Sequence, residues 1–224
     1  MFRQMRKPAF ITRDDPQSYV SEHYRQLRTN IGQLLNEGNL KSLAVTSANQ
    51  GEGKTTTVIN LAVSFAMEGR RTVIVDADLR RPAIHQVFNV GKSLGLSSLL
   101  NETTVLDQVL RETEIEHLWT LPAGAIPDNP AELLSSQPMT DCLRQLQQSF
   151  DVVLVDCPPV LPVVDSKIIA NKCDGAVLVV LAGKTKAQAV KKAKQQFEIV
   201  KANLLGTVLN GQEKIYKSEW YDYC

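Results

Sequence analysis

Ser47-Ala48-Asn49-Gln50-Gly51-Glu52-Gly53-Lys54-Thr55-Thr56 decides how this chain is read. An apolar run, Leu43-Ala44-Val45-Thr46, precedes it, and Val58, Leu61, Ala62, Phe65 and Ala66 follow it at helical spacing. Strand, small-residue turn and helix in that order form a phosphate-binding loop. Gly51 and Gly53 would let backbone N–H groups turn inward around an anion, and the helix would add the positive end of its dipole. Lys54 would reach the outer phosphates and the Thr55 hydroxyl would ligate Mg²⁺, with Asn49, Gln50, Glu52 and Thr56 completing the nucleotide contacts. The usual pattern opens on a glycine where this chain has Ala48, which fits if its backbone dihedrals are ordinary.

Outward from the loop, two further strands end in acids. Thr72-Val73-Ile74-Val75 runs into Asp76-Ala77-Asp78-Leu79-Arg80-Arg81-Pro82, and Val152-Val153-Leu154-Val155 runs into Asp156 and is stopped by Cys157-Pro158-Pro159. Continuous apolar runs of this length are strands buried on both faces. At the carboxyl edge of a parallel sheet their carboxylates would lie beside the phosphates, where Mg²⁺ or a proton must compensate them. Ala176 to Leu181 and Leu204 to Leu209 supply two more buried strands, and Asn210 closes the last one at the ligand edge, where its amide could read a purine. Strands alternating with helices predict a doubly wound, mostly parallel α/β sheet of the P-loop NTPase kind, a three-layer sandwich.

The remaining segments are less sharply patterned. Residues 1–14 read as a polar, basic arm, and Asp15-Pro16 as the cap and first position of a helix whose apolar face is Val20, Tyr24, Leu27, Ile31, Leu34 and Leu35. Its other sides carry Glu22, Arg25 and Arg28, a spacing that allows intrahelical ion pairs. Residues 83–125 predict loops, short helices and one strand, Leu118 to Leu121. Asn129-Pro130-Ala131-Glu132 predicts a capped helix start, and a second helix runs from Pro138. Five lysines, at 184, 186, 191, 192 and 194, read as a solvated face.

The tail from Gly211 to Cys224 lacks a packing period, yet Tyr216, Tyr221 and Tyr223 put three of the chain's five tyrosines in its last nine residues. Glu219 and Asp222 sit beside them, so burying the segment would strand charge. Domain organisation is therefore expected to be one unit over 1–210 and a flexible tail over 211–224. Extended, residues 211 to 223 reach at most roughly 45 Å, which allows delivery to the chain's own site or a neighbour's.

Composition bounds what such a chain can be. At 224 residues and 43% hydrophobic it can bury a full core. Net charge +1 gives no bulk attraction to nucleic acid or to an anionic membrane. Cys142, Cys157, Cys173 and Cys224 show neither CxxC pairing nor zinc spacing, as free thiols in a reducing cytosol would. No apolar run is long enough to span a membrane, so a cytoplasmic protein is expected, with any membrane attachment made through a partner.

Taken together, the phosphate loop, the Asp76-x-Asp78 and Asp156 strand ends and the tyrosine tail resemble the bacterial tyrosine kinases of the capsular and exopolysaccharide type, over nearly the whole chain. Gly51 to Thr55 matches that family's Walker A loop, Val73 to Arg80 its Walker A′ segment and Val152 to Asp156 its Walker B. Glu22, Arg25 and Arg28 match its oligomerisation motif; Gln50 departs, standing where the family often has proline. The resemblance implies ATP and Mg²⁺ as cofactors, with Lys54, Asp76, Asp78 and Arg80 as the catalytic set. Asp76 would position or deprotonate the acceptor hydroxyl; Thr55, Asp78 and Asp156 would hold the metal directly or through water. It further implies autophosphorylation of Tyr216, Tyr221 and Tyr223, a ring-like homo-oligomer, a membrane-anchored activator or polysaccharide co-polymerase that docks on the kinase, a cognate tyrosine phosphatase and other protein substrates. A competing resemblance is to partition and division-site ATPases of the same P-loop group; their signature lysine in the early loop is Asn49 here, and the tail has no amphipathic helix.

Overall fold

The computed structural model describes residues 10–38 and 40–211. Seven strands form one sheet in the order β3-β4-β2-β5-β1-β6-β7. They are β1 (Ser42–Ser47), β2 (Thr72–Asp76), β3 (Arg111–Glu112), β4 (Leu118–Leu121), β5 (Val152–Asp156), β6 (Gly175–Leu181) and β7 (Leu204–Asn210). All neighbours pair parallel except β3 with β4. Every residue of β1, β2 and β5 is buried, which is why these strands read as unbroken apolar runs rather than alternating ones.

Helices cover both faces. On one side α2 (Tyr19–Glu37) and α3 (Lys54–Ala66) bury Ile31, Leu35, Val58 and Phe65 against Leu43, Val45, Ile74 and Leu154. On the other, α8 (Gln137–Ser149), α9 (Asp165–Lys172) and α10 (Ala187–Ile199) pack Leu143, Leu146, Ile169 and Phe197 against Val73, Val153, Val155 and Leu178. The three-layer, doubly wound arrangement is the one the sequence predicts. Its central order places β1, β2 and β5 side by side, so their carboxyl ends share one edge.

Several boundaries differ from expectation. The first long helix starts at Tyr19, because Ser18 and not Asp15 is the cap: Ser18 Oγ accepts from Ser21 N at 3.2 Å, while Asp15 offers its carbonyl to Ser21 Oγ at 2.6 Å. Part of the expected arm is an ordered turn, α1 (Ile11–Asp14), whose Thr12 is buried against Asn60. The helix α7 (Pro130–Ser135) has proline at its start as expected, but the Asn129 side chain makes no cap hydrogen bond. The strand β3, two residues long, is an addition to the single strand expected before residue 125. Short helices α4 (Ile84–Val87), α5 (Leu96–Leu100) and α6 (Leu106–Val109) fill the rest of that region. Of the expected tail, all but Gly211 lies outside the described residues, and Tyr216, Tyr221 and Tyr223 with it.

Candidate active site

The loop between β1 and α3 is built around two left-handed glycines, Gly51 at φ 81° and Gly53 at φ 91°. At Gly53 a Cβ would come to 2.0 Å from Asn210 Nδ2, so any other residue would have to displace that side chain as well as strain the left-handed backbone. Ala48 is fully buried and absent from the positive-φ residues, so it fills the usual glycine position without strain. Behind the turn, α3 offers its N-terminal end and a partial positive charge.

Not every loop residue faces the site. Gln50, Gly51, Gly53, Lys54, Thr55 and Thr56 line a pocket of about 540 Å³ together with Asp78, Arg80, Arg81 and the Pro158–Val163 segment. Glu52 turns away and is buried. Its carboxylate accepts from Asn49 N at 3.0 Å, from Asn49 Nδ2 at 3.0 Å and from Thr185 Oγ1 at 2.7 Å. Asn210 gives its amide to Glu52 O at 3.1 Å. Asn49, Glu52 and Asn210 thus brace the loop in this structure, and Thr185 joins them from the turn that follows β6. Nothing local in the sequence marks Thr185, which lies 133 residues from Glu52.

The acids converge as the strand order requires. Asp76 and Asp156 are register partners at the ends of β2 and β5. Lys54 Nζ donates to Asp78 Oδ2 at 3.1 Å and stands 3.8 Å from Asp156 Oδ1. Thr55 Oγ1 donates to Asp156 Oδ2 at 2.7 Å. Asp78 faces the pocket, whereas Asp76 is fully buried behind it: its Oδ2 accepts from the N–H groups of Ala83 and Ile84, each at 3.0 Å, and its Oδ1 from Asp78 N at 3.3 Å.

Electrostatics follow from that crowding. Burial, reinforced by neighbouring Asp156, pushes the Asp76 carboxyl up to about 8 despite its backbone hydrogen bonds. Burial also raises Asp156, opposed by Lys54 and Thr55. Desolvation works against the Lys54 charge, but Asp156 and Asp78 outweigh it and hold that ammonium above its usual range. Three carboxyl groups thus crowd one ammonium, and Asp76 and Asp156 hold their protons more tightly than free carboxyls do.

A divalent cation suits this arrangement. Asp156 Oδ1 is buried without a hydrogen-bond partner, an acceptor waiting for a cation or its water. Among the described residues no group of three His, Cys, Asp or Glu side chains forms a complete metal cage. Mg²⁺ is commonly held by one or two carboxylates with phosphates and water, a set that Asp78 and Asp156 could serve.

Arg80 reaches across the pocket mouth to Asp165, the first residue of α9, in a two-point pair of 2.7 and 3.0 Å. The expected oligomerisation residues lie elsewhere, on α2. Arg25 pairs with Glu22 at 3.1 Å and also donates to Pro16 O; Arg28 donates to Ser64 O at 3.3 Å and lies 3.7 Å from Glu68, with its buried Nε unpartnered.

Fold and site together define a P-loop nucleotide-binding protein, and a family model described as AAA domain matches residues 40–205. Tyrosine-protein kinase YwqD of Bacillus subtilis (strain 168) is 41% identical over 213 residues, covering 95% of this chain and 90% of that protein. The putative tyrosine-protein kinase CapB of Staphylococcus aureus is 35% identical, covering 94% and 92%. The solved kinase domain of Escherichia coli tyrosine kinase ETK matches with a TM-score of 0.89 at 30% identity, over 96% of this chain and 85% of that one. The chain belongs to the bacterial tyrosine-protein kinases. That decides between the two resemblances in favour of the kinase. No helix among the described residues is long and apolar enough to cross a membrane.

Proposed function

We propose that the chain transfers the terminal phosphate of ATP to the tyrosines of its own C-terminal segment, Tyr216, Tyr221 and Tyr223, in trans within a ring-like homo-oligomer assembled through Glu22, Arg25 and Arg28. The phenol oxygen attacks the γ-phosphorus as the bond to the β,γ-bridging oxygen breaks, and ADP leaves with that electron pair. The phenolic proton goes to the acid pair that ends β2: Asp78 lines the pocket where the hydroxyl would enter, and Asp76 behind it positions Asp78 by accepting its backbone N–H. Lys54 and the loop N–H groups hold the phosphates in line and offset their charge. Mg²⁺, bound by Thr55, Asp78 and Asp156 directly or through water, would neutralise charge on the transferring group.

The observation that carries this reading is Asp156 Oδ1, buried without a hydrogen-bond partner, on a carboxylate that neighbours Lys54 and Thr55, which line the pocket together with Asp78. The setting is capsular or exopolysaccharide synthesis and export, at the inner face of the plasma membrane. A membrane-anchored activator docks on the kinase by its cytoplasmic end, and a tyrosine phosphatase reverses the modification. Other proteins serve as substrates too. Nucleic acid does not, given the near-neutral charge.

Incubating the full chain with Mg-ATP, with and without its activator, and weighing it intact tests the proposal. Successive gains of phosphate are expected. They should fall at least ~10³-fold in rate in Lys54→Met, and drop stepwise as Tyr216, Tyr221 and Tyr223 become Phe. Unchanged phosphate uptake in the triple Phe variant would overturn the assignment of the acceptor.

A further inference from the structure

Arg80 stands at the mouth of the pocket with 42% of its side chain still exposed. Its Nε and Nη2 both engage Asp165, at 2.7 and 3.0 Å, and Asp165 is itself fully buried at the start of α9. A long, mobile side chain is thereby held in one orientation by a carboxylate that the fold had to desolvate. Ion pairs on a surface contribute little to stability, so a buried acid is a costly way to fix an exposed arginine unless the arginine's orientation matters.

That fork uses two of the five guanidinium N–H donors and leaves three. Next to it, Arg81 also lines the pocket. Its backbone N–H is given to Asp78 Oδ1 at 3.0 Å, while its side chain is exposed and has no ion-pair partner among the described residues. The one acid in the pocket lining, Asp78, is already bonded to Lys54. Two arginines with unspent donors therefore line the pocket in which, on the proposed function, an acceptor hydroxyl would meet the phosphate, and neither bonds to the phosphate-binding loop.

The chain's acceptor segment, Lys217-Ser218-Glu219-Trp220-Tyr221-Asp222-Tyr223, has a carboxylate two residues before Tyr221 and another between Tyr221 and Tyr223. Guanidinium forks match carboxylates with two parallel hydrogen bonds, and opposite charge steers and registers a partner. We propose that Arg80, oriented by Asp165, and Arg81 form a rim that recognises carboxylates flanking the acceptor tyrosine, so that the site selects acidic tyrosine segments, this chain's own among them. The rim rests on the phosphotransfer reading and adds to it the class of acceptor.

The test uses the full chain and two synthetic peptides: residues 217–223 as they stand, and the same peptide with Glu219→Gln and Asp222→Asn. Neutralising the flanks should raise the acceptor KM by roughly three- to tenfold and leave kcat and the KM for ATP unchanged. High salt should narrow the gap. Asp165→Asn should raise the KM of the acidic peptide alone, and Arg81→Gln, a change at an exposed side chain that leaves the core intact, should do the same. Equal KM values for the two peptides would overturn the rim while leaving phosphotransfer standing. So would variants that raise the KM for ATP and treat both peptides alike, because Arg80 would then serve the nucleotide. Failure to label either peptide or the chain's own tail would overturn the phosphotransfer reading and the rim with it.

Discussion

Two aspartates at opposite edges of the same sheet are treated in opposite ways. Asp174, just before β6 on the edge away from the phosphates, has one oxygen that accepts from Lys41 N at 2.9 Å, Ser42 N at 2.8 Å, Ser42 Oγ at 2.8 Å and Gln147 Nε2 at 3.0 Å. Asp156, at the end of β5 on the ligand edge, has one good hydrogen bond, from Thr55, and an oxygen with none. Buried acceptors are normally satisfied, so the lower edge is built to hold the strands in place and the upper edge is left short of donors and cations. A nucleotide and Mg²⁺, bound as proposed, would supply cations and donors at that edge.

Removing the saturated partner should cost most. Asp174→Ala leaves the Lys41 and Ser42 N–H groups without their acceptor, and should lower unfolding free energy by about 3 kcal/mol in urea titrations. Nucleotide affinity of the folded fraction should stay as it was. A loss of affinity without a loss of stability would break the contrast.

At the upper edge the same kind of change should have the opposite sign. Asp156→Asn keeps an acceptor for Thr55 but relieves the crowding of acids, so the ligand-free protein should melt higher, by ~2–4 °C for a gain of about 1 kcal/mol. The same variant should lose the extra stabilisation that Mg-ADP gives the unmodified chain. An apo Tm that falls would mean that the edge is not held in deficit.

The third test is a pH slope. A folded-state value of about 8 for Asp76, against 3.8 for the free group, means that the native protein keeps a proton the unfolded chain has released. Stability without ligand should therefore be highest at and below about pH 4 as far as this group is concerned, and decline as pH rises from there to about 8. Asp76→Asn should flatten that decline in a series of thermal melts, and a slope that is the same in both proteins would remove the claim.

Much of this was legible in the residues. The phosphate loop, the acid-ended strands and the parallel sheet could be read because burial on both faces leaves unbroken apolar runs, and because loop chemistry needs fixed spacings. The helix start at Tyr19 was misplaced because two acceptable caps, Asp15 and Ser18, lie three residues apart, and the tertiary contacts of Ser21 choose between them. The β3 strand is too short to show any period. Thr185 and Asp165 left no trace in the local pattern, since their partners are 133 and 85 residues away. Glu52 was expected among the nucleotide contacts for its place in the loop, yet the loop turns its side chain inward.

Asn210 touches Gly53, and the chain continues from Gly211 towards its tyrosines. The last described residues of the chain thus lie beside the phosphate-binding loop. Tyr216 is five residues beyond Gly211 and Tyr223 twelve, which confines the three phenols to a radius of roughly 17–40 Å around that point. Within such a volume a phenol that serves as acceptor, as proposed, would be at millimolar local concentration around the chain's own site. If transfer runs in trans, as proposed, dilution that separates the subunits should slow it, whereas transfer to the chain's own segment would not depend on concentration.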